Sequence, residues 1–365
     1  MKLSKILEYI LGIVTIIITG EVPKSRLEAY LEIYDANLEK YKDVVFDSKI
    51  MDRFPDTDHP WQYDHKDAIK ISELIRLYQN EEGGWNKNHP IRKEHSPEEI
   101  DHILDLHEKN DGMGTNYDNG SVWNHIYFMN EVYLKTGEDT YRDVITRGLE
   151  CIVNTQKTGA WENKVHRHIT YNDAATQGVM WLLFDVLGNV DNKWGYVPES
   201  LLKRLDRAYE RGIESILDCQ VIVDGVGIWG QQHSHDTLLP VRGRNYEPAA
   251  WAPIETVNIL RVLRDYVSRF PNSDRTPRVQ RAIDIAIAWF IKFRHTNQDW
   301  MRDGATSGWG RYHEIPSGRI IFGNRDGEVL YNFWDLPAER AGGYFWGGDW
   351  PRHVIPELKE YYDNP

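Results

Sequence analysis

Apolar residues recur every three to four positions along most of the chain, which is the pattern of helices that bury one face. In residues 67–79 the apolar stripe consists of Ile69, Ile71, Leu74, Ile75 and Tyr78. The same spacing predicts helices over about residues 25–34, 96–107, 121–137, 139–156, 172–187, 198–220, 254–270 and 276–293. Short strands are expected near residues 319–322 and 328–333. The pattern therefore predicts an all-α protein.

A repeat connects these helices. Three of them end in Gln, followed by a turn that contains Gly and then by Trp: Gln79 with Trp85, Gln156 with Trp161, and Gln220 with Trp229. A Gln side chain can bond the backbone groups that a helix end leaves free, and Trp can cover the turn. A few helix-pair repeats are expected to close on themselves. We therefore predict an (α/α) toroid of helix pairs, with long loops that gather a site at one end.

One connection between helices, residues 228–255, is long and irregular. A connection of this length inside a compact domain is typical of a binding or catalytic loop. It contains Arg242 and Arg244 together with His233 and Glu247, so we expect an ordered polar network there. The residues alone do not decide which of the two arginines acts.

Composition narrows the class of ligand. The 365 residues carry a net charge of −13, which argues against nucleic acid as a partner. They include 14 Trp and 20 Tyr, whose flat faces serve either as core filling or as platforms for sugar rings. Cys151 and Cys219 are too few for a cysteine metal site, and we expect buried free thiols.

The first twenty residues resemble a secretory signal, because Lys2 and Lys5 precede a short apolar run. That run is too short for a membrane span, and an amphipathic first helix is the alternative. We expect a signal peptide over residues 1–20 and a single domain over residues 21–365. The mature chain is then a secreted or periplasmic monomer without a membrane span.

Two aspartates stand at predicted helix starts, Asp118 in Tyr-Asp-Asn-Gly and Asp173 in Tyr-Asn-Asp-Ala. Each alone reads most simply as a helix N-cap. Together, on one rim of a toroid, they form a carboxylate pair. Such a pair can bind a hard cation such as Ca²⁺, or serve as acid and base of a glycosidase.

Cationic residues lie in the same kind of turn. Lys87 follows the first repeat Trp, Arg311 lies in Trp-Gly-Arg-Tyr, and Arg325 lies in Asn-Arg-Asp-Gly. Because the guanidinium fork matches a carboxylate, several arginines on loops favour a polyanionic ligand. The alternative for each is an ion pair with a nearby Asp or Glu.

These residues stand in an order that resembles the pectate lyases of polysaccharide lyase family 10. The matching stretches are EEGGWNKN, YDNG, HITYNDAA, IWGQQH, TLLP with RGRNYE, WGRYHEI, RIIFGNRDG and GYFWGGDWP. They extend from about residue 74 to residue 351. The chain departs from the family pattern at GGWNKN, at TGAWENK and after Glu247, so we expect its substrate subsites to differ there.

The resemblance implies an (α/α) toroid that cleaves polygalacturonate by Ca²⁺-assisted β-elimination. It implies that Asp118 and Asp173 face Ca²⁺ and take part in catalysis, and that Arg244 is the base. Lys87, Arg311 and Arg325 would hold substrate carboxylates, and we expect Trp229, His233 and Tyr246 to contact the polygalacturonate or oligogalacturonide.

Two other functions fit the residues. The first is an inverting glycoside hydrolase with Asp118 and Asp173 as acid and base, which would give saturated products without metal. The second is a non-catalytic uronate-binding protein, which would bind without turnover.

Overall fold

A computed structural model describes residues 24–46, 67–91, 93–109, 114–295, 308–353 and 355–358. Its longer helices are α1 (Arg26–Lys40), α2 (Ala68–Tyr78), α3 (Pro97–Lys109), α4 (Trp123–Thr136), α5 (Asp139–Thr155), α6 (Ala175–Leu187), α7 (Glu199–Asp218), α8 (Pro253–Arg269) and α9 (Thr276–Lys292), followed by the short α10 (Ala338–Gly343). The predicted helices are confirmed. The expected signal peptide lies outside the described residues.

The strands are few and short. They are β1 (Ile169–Thr170), β2 (Val221–Val223), β3 (Val226–Ile228), β4 (Gln232–His233), β5 (Trp309–Gly310), β6 (Tyr312–His313), β7 (Ile320–Gly323), β8 (Val329–Leu330) and β9 (Gly347–Gly348). β1 pairs antiparallel with β4, with Thr170 opposite Gln232. β6, β7 and β8 form the largest sheet.

The chain divides into two compact units. One comprises residues 1–81, 89–114 and 128–144, and the other comprises residues 82–88, 115–127 and 145–365. In the first unit α1 packs on α2, where the Tyr30 hydroxyl donates to the Glu73 carbonyl at 2.9 Å and Asn37 Nδ2 donates to the Glu73 carboxylate at 2.8 Å. The predicted capping box of Ser96 and Glu99 begins α3. The single-domain and monomer expectations stay predictions.

In the second unit α6 packs on α7 and α8, and α8 packs on α9. The predicted turn repeat is confirmed here. Gln156 Nε2 donates to the carbonyls of Gly159 and Ala208 at 2.9 and 2.8 Å. Gln220 Nε2 donates to those of Gly227 and Ala282 at 3.0 and 2.9 Å. Each Gln therefore ties its own turn to the next helix pair along the chain.

The repeat tryptophans are fully buried. Trp161 Nε1 donates to the Ile152 carbonyl at 2.9 Å, and Trp229 Nε1 donates to the Ile216 carbonyl at 2.6 Å. Trp309 behaves in the same way, with its Nε1 3.0 Å from the Phe290 carbonyl. It is a further copy of the repeat, which the Gln-based pattern missed because α9 ends at Lys292 without a Gln at its end.

Two of these tryptophans begin a Trp-Gly-x-x-His turn. In residues 229–233 the backbone N–H of Gly230 donates to His233 Nε2 at 2.8 Å. In residues 309–313 Gly310 does the same to His313 Nε2 at 3.0 Å. Because Nε2 accepts, Nδ1 carries the proton in each ring, and each Nδ1 lies 2.8 Å from a loop carbonyl. Burial lowers the pKa of His233 to about 4 and that of His313 to about 3.

Cys151 and Cys219 are buried free thiols, as predicted. In the described parts of the chain we find no helix that is both long and apolar enough to cross a bilayer.

Candidate active site

The two predicted aspartates lie in corresponding turns of the second unit, Asp118 as the first residue of its turn and Asp173 as the second residue of its own. Each lies in a single 3₁₀ turn just before a helix, Asp118–Gly120 before α4 and Asn172–Ala174 before α6. The turns are tight, because Asn119 and Asp173 have φ values of 56° and 53°, in the left-handed region. No side-chain cap forms at the start of α6. The Asp118 side chain bonds Lys87 and Asn172, so it belongs to a polar cluster and does not serve as the helix cap that its position in the sequence suggested.

Asn172 joins the two carboxylates. Its Nδ2 lies 3.3 Å from Asp118 Oδ1 and 2.9 Å from Asp173 Oδ2. Asp118 is buried, whereas Asp173 is exposed. Burial raises the pKa of Asp118 to about 6, with the hydrogen bonding and charge of Asp173 as further causes and Lys87 acting in the opposite direction. The pair is therefore a concentration of negative charge that a cation would relieve.

Lys87 supplies one cation. Its ammonium forms an ion pair with Asp118 Oδ2, and about a third of its side chain remains exposed. Among the described residues no three His, Cys, Asp or Glu side chains converge as a metal site.

Arg244 lies in the predicted loop and is held by Glu247. Its Nε donates to Glu247 Oε1 at 2.8 Å, its backbone N–H donates to Oε2 at 2.8 Å, and its Nη2 also contacts Oε1. Half of the Arg244 side chain is exposed, whereas that of Glu247 is buried. Burial acts to lower the pKa of Arg244, but the hydrogen bonds and charge of Glu247 outweigh it and the pKa is raised. Glu247 thus stabilises the protonated guanidinium.

Arginines surround Tyr246. The guanidinium carbons of Arg244, Arg325 and Arg340 lie 4.8, 5.5 and 4.2 Å from its ring centroid. Arg325 is exposed and bonds Glu339, with Nε 3.1 Å from Oε2. Arg340 is almost fully buried, between Tyr246 and the ring of Tyr344 at 5.1 Å. Tyr246 and Arg325 therefore lie beside Arg244.

Three predicted substrate contacts do not fit their positions. Trp229 is fully buried in the helix core, and His233 is fully buried with both ring nitrogens bonded to backbone. Neither offers a surface to a sugar. Arg311 points inward, where its Nη2 donates to Glu255 at 2.7 Å and only 13% of its side chain is exposed.

Sequence reasoning missed the amide residues. Gln232 Nε2 donates to Asn172 Oδ1 at 3.1 Å, and Gln231 Oε1 accepts a hydrogen bond from the Tyr312 hydroxyl. A signal was present, since Gln231 and Gln232 fill the variable places of Trp-Gly-x-x-His. Tyr344 and Glu255 carried no comparable pattern.

Helix pairs joined by buried Gln and Trp turns, with carboxylates and arginines on the loops, define the class of helical polysaccharide lyases. Comparison with solved structures gives two similar chains from Cellvibrio cellulosa. A mutant family 10 polysaccharide lyase in complex with trigalacturonic acid has 23% identity and a TM-score of 0.66, covering 80% of this chain and 92% of that one. A further family 10 polysaccharide lyase has 25% identity and a TM-score of 0.64, covering 80% and 91%. The predicted (α/α) toroid is confirmed.

The sequence matches the family described as pectic acid lyase over residues 79–355, which is most of its length. The chain belongs to the pectic acid lyase family. The predicted enzyme class, a pectate lyase that degrades polysaccharide, is confirmed. Curated protein sequences give no match.

Proposed function

We propose that the enzyme cleaves polygalacturonate by calcium-assisted β-elimination, with Arg244 as the base and Asp118 and Asp173 as calcium ligands. The observation that carries this proposal is that two consecutive residues connect the arginine loop to the carboxylate pair. Gln231 hydrogen-bonds Glu247, which holds Arg244, and Gln232 hydrogen-bonds Asn172, which joins the two carboxylates. A similar lyase is solved with trigalacturonic acid, which supports a uronate chain as the substrate.

The carboxylate pair fits a hard cation in the chemistry of its donors. Asp118 and Asp173 offer only oxygen ligands, which suits Ca²⁺. Burial is the largest cause of the raised pKa of Asp118, and the repulsion between the two carboxylates is a further cause. Two carboxylates are too few to complete a calcium shell, so substrate oxygens and water would have to supply the other ligands. When bound, the cation would offset the charge that develops on the substrate carboxylate as the α proton leaves.

In the elimination, neutral Arg244 takes the C5 proton of the galacturonate. The electrons of that C–H bond form the C4=C5 double bond, the C4–O4 bond breaks, and the leaving oxygen receives a proton from water. Because Glu247 favours the charged form of Arg244, the reactive form is scarce near neutral pH. We therefore propose an alkaline optimum.

Two cations would hold substrate carboxylates. Lys87 lies on Asp118 and is part exposed, and Arg325 lies on the exposed side of Tyr246. Tyr246 itself is half-buried and offers a ring edge to a sugar.

We also propose export of the enzyme, on the basis of Lys2, Lys5 and the apolar run that follows. Mass analysis of the mature N terminus tests this proposal.

The test follows the absorbance of unsaturated product on polygalacturonate at alkaline pH, with and without a chelator. Activity that a chelator abolishes and Ca²⁺ restores supports the proposal. Absence of unsaturated product under these conditions contradicts elimination, and saturated products in its place indicate hydrolysis. An Arg244→Lys variant that keeps nearly full activity contradicts the role of Arg244 as base.

A further inference from the structure

We propose that Gln231 and Gln232 are positioning residues, each of which orients one half of the active site, Gln231 the arginine half and Gln232 the carboxylate half. This inference rests on the proposed function, because it concerns the same Arg244 and the same pair of aspartates. Both glutamines are buried, at 5% and 2% exposure, so neither is placed to act through solvent.

Hydrogen-bond direction fixes the carboxylate half. An ionised carboxylate only accepts, so Asn172 must turn its NH₂ group to Asp118 and Asp173. Asn172 Oδ1 then needs a donor, and Gln232 Nε2 supplies it at 3.1 Å. Gln232 Oε1 needs a donor in turn, and His168 Nδ1 lies 3.1 Å away. Every group in this line therefore has one orientation that satisfies its neighbours, and Gln232 holds Asn172 in the orientation that the two carboxylates require.

The arginine half follows the same logic. The Tyr312 hydroxyl donates to Gln231 Oε1, which leaves the Gln231 NH₂ group to donate to Glu247. Tyr344 also reaches Glu247 Oε1, at 3.4 Å. Burial acts to raise the pKa of Glu247, but hydrogen bonds from Arg244 and Gln231 and the charge of Arg244 lower it overall. Gln231 thus helps to keep ionised the carboxylate that holds Arg244.

The backbone connects the two halves. Gln231 lies in the bend just before β4 and Gln232 is the first residue of that strand, so the two neighbouring side chains serve two different clusters. The Gln231 carbonyl accepts from the backbone N–H groups of Tyr171 and Asn172 at 3.0 and 3.3 Å. On the other side, a Cβ atom on Gly243 would lie 3.1 Å from Gln232 Nε2 and 2.6 Å from Glu247 Oε2. The loop that carries Arg244 is therefore packed directly against Gln232.

Only amides suit these two places. In the equivalent turn, residues 309–313, the variable places hold Arg311 and Tyr312, which donate to Glu255 and Gln231. Neither side chain can both accept a hydrogen bond from one neighbour and donate one from a separate atom to the next, as Gln does. The Gln-Gln pair is thus matched to the active site and is not required by the Trp-Gly-x-x-His turn.

The experiment compares Gln231→Met and Gln232→Met, which keep length and remove the amide. Calorimetry with Ca²⁺ alone measures the carboxylate half. The arginine half is measured by the rising limb of the pH–rate profile, which in this enzyme is expected in alkaline solution, where Arg244 loses its proton. For Gln232→Met we expect a roughly tenfold weaker Ca²⁺ affinity with the limb unchanged. For Gln231→Met we expect unchanged Ca²⁺ affinity and a lower kcat. The rising limb of the pH–rate profile should move to higher pH, because Glu247 no longer shares its charge with the Gln231 amide and therefore raises the pKa of Arg244 further.

Gln220→Met is the matched control, because Gln220 donates its amide only to helix-turn carbonyls. It should lower the melting temperature and leave both readouts unchanged. Equal effects of the two site variants on both readouts, or no effect of either, overturn the inference. A wild-type enzyme without Ca²⁺ binding and without elimination contradicts the proposed function itself, which separates the two failures.

Discussion

The Lys87 ammonium lies against Asp118 Oδ2, at the carboxylate that is the more buried of the pair. A lysine in this position occupies an oxygen that a bound cation would use. In the proposed mechanism it would therefore compete with Ca²⁺ before substrate arrives, and it would become free to meet a substrate carboxylate once Ca²⁺ is bound.

Replacing Lys87 with Met should therefore strengthen Ca²⁺ binding and weaken substrate binding. An ion pair of this exposure is worth about 1 kcal/mol, so we expect roughly fivefold tighter Ca²⁺ at pH 8 and a higher KM. Calorimetry in the absence of substrate measures the first effect. Lys157→Met is the control, because Lys157 forms a surface pair with Glu162. Weaker Ca²⁺ binding in Lys87→Met would show that the lysine supports the metal site.

Asp118 should make the protein less stable as pH rises. Its pKa is raised, by burial first and then by Asp173, from an ordinary 3.8 to about 6. A group of this kind contributes stability below its unfolded pKa and loses that contribution as pH rises through its folded pKa. The loss between about pH 4 and 6 amounts to at most about 3 kcal/mol.

Thermal denaturation in chelator, for wild type and Asp118→Asn, measures this effect. The variant should gain stability relative to wild type as pH rises from 4 to 7, and added Ca²⁺ should reverse the order. Comparing the two proteins at each pH cancels the contribution of the buried histidines. A stability difference that does not change with pH would contradict the placement of this titration at Asp118.

Glu247→Gln should move the rising limb of the pH–rate profile, which reports the deprotonation of Arg244, to lower pH. The carboxylate of Glu247 raises the pKa of Arg244, so its removal makes the neutral guanidine available at lower pH. We expect kcat to fall at the new optimum, because the amide keeps only one of the two oxygens that orient Arg244. Rate measurements from pH 7 to 11 test this shift. An unmoved limb would mean that another group titrates there.

Trp229→Phe separates core packing from sugar binding. The variant loses the hydrogen bond from Nε1 to the Ile216 carbonyl and leaves a small cavity, which should cost about 1–3 kcal/mol. KM should stay within twofold of wild type, because the ring is fully buried. Urea denaturation and steady-state kinetics give the two values, and Trp309→Phe should behave alike. A large increase in KM with unchanged stability would restore Trp229 to the substrate site.

Much of the fold was predictable because its signals are local. The amphipathic spacing of α7 and the Gln and Trp at each turn follow directly from the order of residues. The pairing of Asp118 with Asp173 was also accessible, since both begin helices. The partners were not, because Asn172, Gln232 and Glu255 act through contacts between residues far apart in sequence. The burial of Arg311 was hidden for the same reason, as its neighbour Glu255 looks like an ordinary residue in the first turn of α8.

His233 and His313 also set an acid limit for the scaffold. Each ring is neutral, accepts a backbone N–H and holds a loop carbonyl. A buried histidine with a lowered pKa contributes stability above its ordinary pKa and loses it as pH falls through its folded value. Those folded values are about 4 and 3, so the two contributions would decline together as pH falls from the ordinary value of 6.5 towards them. Tolerance of acidic surroundings would then be governed by the framework of the enzyme, well away from the alkaline chemistry that we propose for it.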